Sequence, residues 1–324
     1  KAHAPNKVYV FGGLDISPFF FDPQNAGKHF STYVESLMTM GCDGIKMIEG
    51  KPEMRKMLSV PPFDSPVYEP YWEKVSSQGI PIIFHVNDPE EFWDRQRVPT
   101  WALEQGWFYG DGNYVNNEQQ YAEVIHVLEK YPDLKIIFAH FFFLSGQLDR
   151  LGEYLDRFPN ICVDLTPGIE MYYNFSAQPE KTRQFFLKYQ DRIVFGTDIG
   201  ATVLLENNEL GIDPLDSRTR VHVIRYFLET DQEYWFEEGA SALFGVQTHP
   251  FQGIDLPESA LNKIYKTNFE RLAGPHPAAL KPPAIVQECD RIIRTLQIMG
   301  AAKPGEPGDP SVAEMIKTYF TENA

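Results

Sequence analysis

The chain has 324 residues, 43% of them hydrophobic and 14% aromatic, with 29 Lys and Arg against 45 Asp and Glu and a formal net charge of −16. A core-rich acidic chain without a basic cluster lacks the phosphate contacts that drive nucleic-acid binding, and none of its apolar runs nears the ~18 residues that cross a bilayer. The expected partner is a small-molecule substrate, with no nucleic acid and no membrane, and a homo-oligomer is left open. Cys42, Cys162 and Cys289 are too scattered for a disulfide framework or a zinc knuckle, and no basic-then-apolar leader opens the chain. Those features read as a reducing, cytoplasmic setting.

From residue 8 to about 200, short β-rich apolar runs alternate with segments of helical period, the signal for βα units around a parallel sheet. The expected strands are 8–14, 44–49, 81–86, 134–140, 161–165 and 192–198, several of them apolar throughout, as strands covered on both faces should be. Between them, Phe30, Tyr33, Val34, Leu37 and Cys42 form one helical stripe, Tyr121, Val124, Ile125 and Leu128 a second, and Leu148, Leu151, Leu155 and Phe158 a third. Beyond Asp198 the pattern predicts helices around 218–228 and 257–272 and no further strand. A proline-rich turn then leads into a helix with Val286, Cys289, Ile292, Ile293, Leu296 and Met299 on one face. A breaker-rich linker, 303–310, precedes a last helix near 312–320. Residues 1–274 read as one α/β domain and 275–324 as a helical appendage.

Three of the expected strands finish in a residue that binds metal or moves protons: His85, His140 and Asp198. In parallel α/β barrels and open sheets the carboxyl ends of the strands share one face, so residues distant in sequence converge there. A lone histidine at a strand end is more often a hydrogen-bonded structural residue. Two imidazoles and a carboxylate together suit a divalent ion of the zinc type with a position left for water.

Gly-Ile-Lys at 44–46, Pro-Ile-Ile-Phe-His-Val-Asn-Asp-Pro at 81–89, Phe-Ala-His-Phe at 138–141, Pro-Asn-Ile-Cys-Val-Asp-Leu at 159–165 and Asp-Arg-Ile-Val-Phe-Gly-Thr-Asp at 191–198 resemble, in order and spacing, the amidohydrolase-related family of metal-dependent hydrolases. Ile264-Tyr265, Asn268 and Arg271-Leu272 look like its late helix, so the resemblance covers about residues 8–273. It implies a TIM-type (β/α)8 barrel and a branch that includes nonoxidative decarboxylases of the aminocarboxymuconate-semialdehyde and hydroxybenzoate type. Carried over by position, His85 is a metal ligand, Asp198 a metal ligand that also handles the proton of the attacking water, and His140 a catalytic residue beside the metal, and the implied cofactor is a divalent ion, zinc or manganese. The family opens with a first strand bearing a His-x-His or Glu-x-His pair, and nothing here matches it. Residues 8–14 look like the third strand, so the first two βα units are expected to be absent from this chain, and six strands do not close an eight-stranded barrel.

Other residues have plainer readings. Lys46 is expected as a strand-end lysine or ion-pair partner rather than a carbamylated metal bridge, Asp88 as a turn residue before Pro89, and Asp164 as facing a neighbouring helix. Glu49 and Phe142, the latter in the Phe141-Phe142-Phe143 run, are the candidate substrate contacts, since aromatic loops over a metal pocket suit a flat substrate. Gly-x-Ser-x-Gly, His-Glu-x-x-His and a phosphate-binding Gly-rich loop do not occur. The resulting expectation is a metal-dependent hydrolase that activates water against a carbonyl carbon. Nonoxidative decarboxylation is the enzymatic alternative and a noncatalytic binding or assembly barrel the third.

Overall fold

The computed structural model describes residues 1–200, 213–236, 247–298 and 309–323. Six strands form one sheet: β1 (Phe11–Gly13), β2 (Gly44–Gly50), β3 (Ile82–Val86), β4 (Ile136–Phe138), β5 (Ile161–Asp164) and β6 (Ile193–Val194). Each pairs in parallel with the next in chain order. A sequential parallel order is that of a (β/α) barrel wall, whereas a doubly wound sheet reverses at a switch point. The chain is therefore α/β with an arc of barrel wall and a helical C-terminal part.

Helices fill the crossovers: Ala26–Met40, Glu69–Ser77, Asn117–Lys130, Leu148–Arg157 and Pro179–Lys188. They bury the stripes read from the sequence, with Phe30, Val34 and Leu37 of Ala26–Met40 and Tyr121, Val124 and Leu128 of Asn117–Lys130 all in the main core. Side chains alternate across each strand. Ile45, Met47, Ile82, Phe84, Ile136, Phe138, Ile161 and Val163 join the helices in that core. Ile83, Ile137, Cys162 and Val194 point the other way, into a separate small cluster with Phe269 and Leu272. This second face is the concave one.

Among the described residues β1 and β6 have one strand neighbour each. The segment 264–274 covers what would otherwise be open edges. Asn268 Nδ2 donates to the carbonyls of Gln190 and Ile193 at 2.7 Å each, and Phe195 N donates to Ile264 O at 2.9 Å. On the other side Phe269 packs against Tyr9 and Phe11, and the Tyr9 hydroxyl donates to Gly274 O at 2.8 Å. One short helix, Asn268–Ala273, thus meets both ends of the sheet.

Several expected elements have different bounds. β4 and β6 stop before His140 and Asp198, which lie in the turns that follow. The helix expected over 257–272 divides into Glu258–Asn262, a π-turn Lys263–Thr267 and Asn268–Ala273. Beyond Asp198, where no strand is expected, a two-residue antiparallel pair forms between β7 (Glu233–Tyr234) and β8 (Phe251–Gln252). The C-terminal helices Pro282–Ile298 and Ser311–Glu322 pack together, and the first is tied to the barrel by Tyr33 to Glu288 (2.9 Å) and Arg291 to Asp15 (2.6 Å). Met299 and residues 303–308 of the expected linker lie outside the described residues. No described helix is long and apolar enough to cross a membrane.

Candidate active site

His85 is the fourth residue of β3, two beyond Ile83, so alternation puts it on the concave face, where it is 8% exposed. Its ring lies 4.9 Å from the His140 ring and 5.3 Å from that of Phe143. Burial pushes the His85 pKa down, against an opposing pull from Asp88. Its side chain is neutral at neutral pH, the form in which imidazole binds a cation.

His140 arrives by a different route. After β4 the backbone enters a left-handed turn in which four consecutive non-glycine residues have positive φ: His140 (55°), Phe141 (56°), Phe142 (58°) and Phe143 (52°). Left-handed backbone costs an L-residue roughly 1–2 kcal/mol, so the surroundings must hold this turn in place. Asp164, at the end of β5, accepts from His140 N at 2.8 Å and from Thr166 N at 3.0 Å. Tyr121 donates its hydroxyl to Phe142 O at 3.0 Å, and the Phe142 ring stacks on Phe138 with centroids 3.9 Å apart. Phe141 packs between Phe175 and Phe186. Asp164, read from the sequence as facing a helix, instead clamps the turn that carries His140.

His140 Nδ1 lies 3.3 Å from Thr166 O. A carbonyl only accepts, so this contact assigns the proton to Nδ1 and leaves the lone pair on Nε2. Burial, reinforced by His85 and Lys46, pushes the His140 pKa down to about 4, although Asp198 and Asp164 pull the other way. At neutral pH His140 is an acceptor.

Asp198 is half-buried with φ 52°, and its charge reaches His140. The preceding carbonyl, Thr197 O, accepts from Arg220 Nη1 at 3.3 Å, and Arg220, fully buried, is ion-paired with Asp216 at 2.7 Å. Lys46 pairs in register with Ile83, and its charge acts on both imidazoles. His85 and His140 are thus in ring contact with a carboxylate and a lysine within electrostatic reach.

The two candidate substrate contacts lie elsewhere. Glu49 is 3% exposed and sits near Tyr68 and Tyr71 of the helical layer, with burial pushing its pKa up to about 7. Lys46 and Glu49 are three residues apart, and in a strand that spacing puts them on opposite faces, a signal already present in the sequence. Phe142 is fully buried in the main core. The aromatic residue that does meet the imidazoles is Phe143, stacked on His140 at 5.0 Å and 27°. It also lines a cleft of about 170 Å³ with Glu90, Arg97, Gln147 and Glu170. Arg97 is engaged there by Glu90 at 2.8 Å and Glu91 at 3.2 Å, while burial, then Glu91 and Asp88, push the Glu170 pKa up to about 7.

Asp88 was not legible as a site residue. It is 5% exposed, Oδ1 lies 3.4 Å from His85 Nε2, and Oδ2 accepts from the Tyr109 hydroxyl at 2.7 Å. The only sequence hint is its position three residues after a strand-end histidine.

The Amidohydrolase family model matches residues 35–274. A comparison with curated proteins returned no match. Among solved structures, 5-carboxyvanillate decarboxylase LigW from Sphingomonas paucimobilis is similar at 15% identity and a TM-score of 0.45, over 84% of this chain and 68% of that one. The figures for 2,6-dihydroxybenzoate decarboxylase from Rhizobium are 15%, 0.45, 84% and 72%. For 4-oxalomesaconate hydratase LigJ from Rhodopseudomonas palustris they are 14%, 0.40, 84% and 66%. With the family model spanning most of the strands, the crossover helices and the turns that carry His85, His140 and Asp198, the chain belongs to the amidohydrolase family.

Proposed function

We propose that this chain is a metal-dependent hydrolase in which water attacks a carbonyl carbon of a small organic substrate, with zinc or manganese as the ion. Amidohydrolases generally use divalent metals. The observation that carries the reading is the ring contact of His85 with His140, both held neutral by burial, beside the Asp198 carboxylate. Neutral imidazole and carboxylate are the donors a zinc-type ion takes, so the donor chemistry fits. Among the described residues no three such donors converge, so His85 and Asp198 account for part of a donor set.

His85 and Asp198 would hold the ion, which when bound polarises the carbonyl and acidifies water. The chain's own residues handle the proton. The resemblance gives the proton of the attacking water to Asp198; with its lone pair on Nε2, His140 is the acceptor in this reading as water oxygen bonds to the carbonyl carbon, and the imidazolium then returns the proton to the leaving group. With its proton on Nδ1 toward Thr166 O, His140 has none on Nε2 with which to stabilise an oxyanion. Phe143, flat against His140, limits the ring's rotation and offers a surface to a planar substrate.

Asp198→Asn is expected to abolish turnover and weaken metal binding, and His140→Asn to lower turnover about 10²-fold or more with metal largely retained. Elemental analysis and initial rates on amide, ester and lactone panels check both, and full activity of the Asp198 variant overturns the reading.

Decarboxylation is the second reading, and the observation in its favour is Lys46, a cation facing both imidazoles. An ammonium there would pair with a substrate carboxylate before carbon dioxide leaves. Release of carbon dioxide from hydroxybenzoates that Lys46→Met abolishes, with no hydrolysis of the panel, would favour it over hydrolysis.

A further inference from the structure

Asp88 has no role in the reading above, yet it is buried against the proposed ligand His85. Three observations set its position. Asn87, between His85 and Asp88, has a left-handed backbone with φ 70°. Its side chain is fixed by Gln120 Nε2, which donates to Asn87 Oδ1 at 2.7 Å, and by its own Nδ2, which donates to Asn117 O at 3.3 Å. Gln120 is held in turn by Arg55 at 3.3 Å, and Arg55 is ion-paired with Glu123 at 2.7 Å, all of it buried. A buried polar network of this kind fixes one backbone course, and that course turns Asp88 back toward His85.

At the far end of this network, His85 Nε2 is buried without a hydrogen-bond partner, and Asp88 Oδ1 faces it at 3.4 Å. The separation is a few tenths of an ångström longer than a usual N–H···O contact. The other carboxylate oxygen accepts from Tyr109, so the carboxylate cannot swing away freely. Histidines that bind a metal through one ring nitrogen commonly donate the other N–H to a carboxylate, which fixes tautomer and ring angle.

Resting on the metal-dependent reading, we infer that Asp88 is a positioning residue for His85: it takes the Nε2 proton as a hydrogen-bond acceptor and so presents the Nδ1 lone pair as the ligand, with Tyr109 holding Asp88 in place. The covalent framework does not change, since the proton stays on Nε2 and only the tautomer is selected. Asp88 itself contacts neither ion nor substrate.

Two measurements on the intact chain test this. The first is the tautomer of His85 in the metal-free protein, read from the ring ¹⁵N shifts and long-range ¹H couplings. The second is a Co²⁺ titration followed by the visible absorption of the bound ion. Wild type is expected to carry the His85 proton on Nε2. Asp88→Ala is expected to shift the tautomer toward Nδ1–H and to weaken Co²⁺ binding by roughly 10–100-fold. Asp88→Asn, whose oxygen still accepts, should recover most of the affinity with an unchanged Co²⁺ spectrum, and Tyr109→Phe should lie between it and wild type. Far-ultraviolet circular dichroism establishes that each variant is folded, and Tyr109→Phe keeps the test alive if Asp88→Ala is not. A wild-type proton on Nδ1, or equal Co²⁺ affinity in Asp88→Ala, overturns the inference. So does loss of Co²⁺ as complete in Asp88→Asn as in Asp88→Ala, which would make Asp88 a ligand. A wild-type chain that binds no Co²⁺ would show that His85 and Asp198 alone do not hold an ion, and the tautomer then decides whether Asp88 orients His85.

Discussion

Burial without a full set of partners makes Glu49 a carboxyl whose ionisation works against folding. Its Oε2 is buried with no hydrogen-bond partner, and its folded pKa of about 7 stands above the ordinary value of 4.5. Between those values the folded chain keeps a proton that the unfolded chain releases. The stabilising contribution is therefore complete below about pH 4.5 and is lost as pH rises through 7, by at most about 3 kcal/mol. Glu49→Gln, which cannot ionise, is expected to gain stability relative to wild type between pH 5 and pH 8 in urea unfolding, and parallel pH curves would remove the argument. At the same scale, Phe142, fully buried and stacked on Phe138, is a packing residue by its position. Phe142→Ala should cost about 3–5 kcal/mol and lower any activity through the turn it anchors, readable as a fall in kcat with little change in KM.

The element that decides the site is the left-handed turn 140–143, more than any strand. The apolar run of 134–140 reads as a strand up to His140, and the pattern has no means of registering that β4 stops at Phe138. Four positive-φ residues without a glycine carry no turn signature in the sequence. They persist because Asp164 accepts two backbone N–H groups there and because Phe141 and Phe142 are buried on the outer side. Asp164→Ala would leave both N–H groups without their acceptor, at about 1–3 kcal/mol each. Loss of about 2–6 kcal/mol in chemical denaturation, with the His140 ring no longer held near His85, is the expected outcome, and a variant as stable as wild type would show that the turn needs no clamp.

At the scale of the molecule, the six strands of the described residues leave a sheet with two ends, and segment 264–274 answers both. Exposed edges present unpaired N–H and C=O groups that invite further strands. Asn268 satisfies Ile193 O on β6 and Ile264 O accepts from Phe195 N just beyond it, and Leu272 with Phe269 packs on the concave face against Ile137, Cys162 and Val194. Leu272 is 5% exposed although its helix is only six residues long. Leu272→Ala is expected to destabilise the chain by about 2–5 kcal/mol, as a strand core residue would. A loss below 1 kcal/mol in urea titration would mean that the helix merely rests on the sheet.

The sequence by itself determined the parallel α/β class, the chain order of the six strands and the placement of His85 on a strand-end position, because a period of two and a period of 3.6 are local properties that each segment carries alone. It also carried the family, through motifs that span several strands. Tertiary structure decided the rest of the site. The approach of His140 to His85 depends on a carboxylate from β5, and the position of Asp88 against His85 depends on a network that starts at Arg55. Each of these joins residues far apart in sequence through contacts of a few ångströms, and no local pattern records which distant side chain will supply the partner.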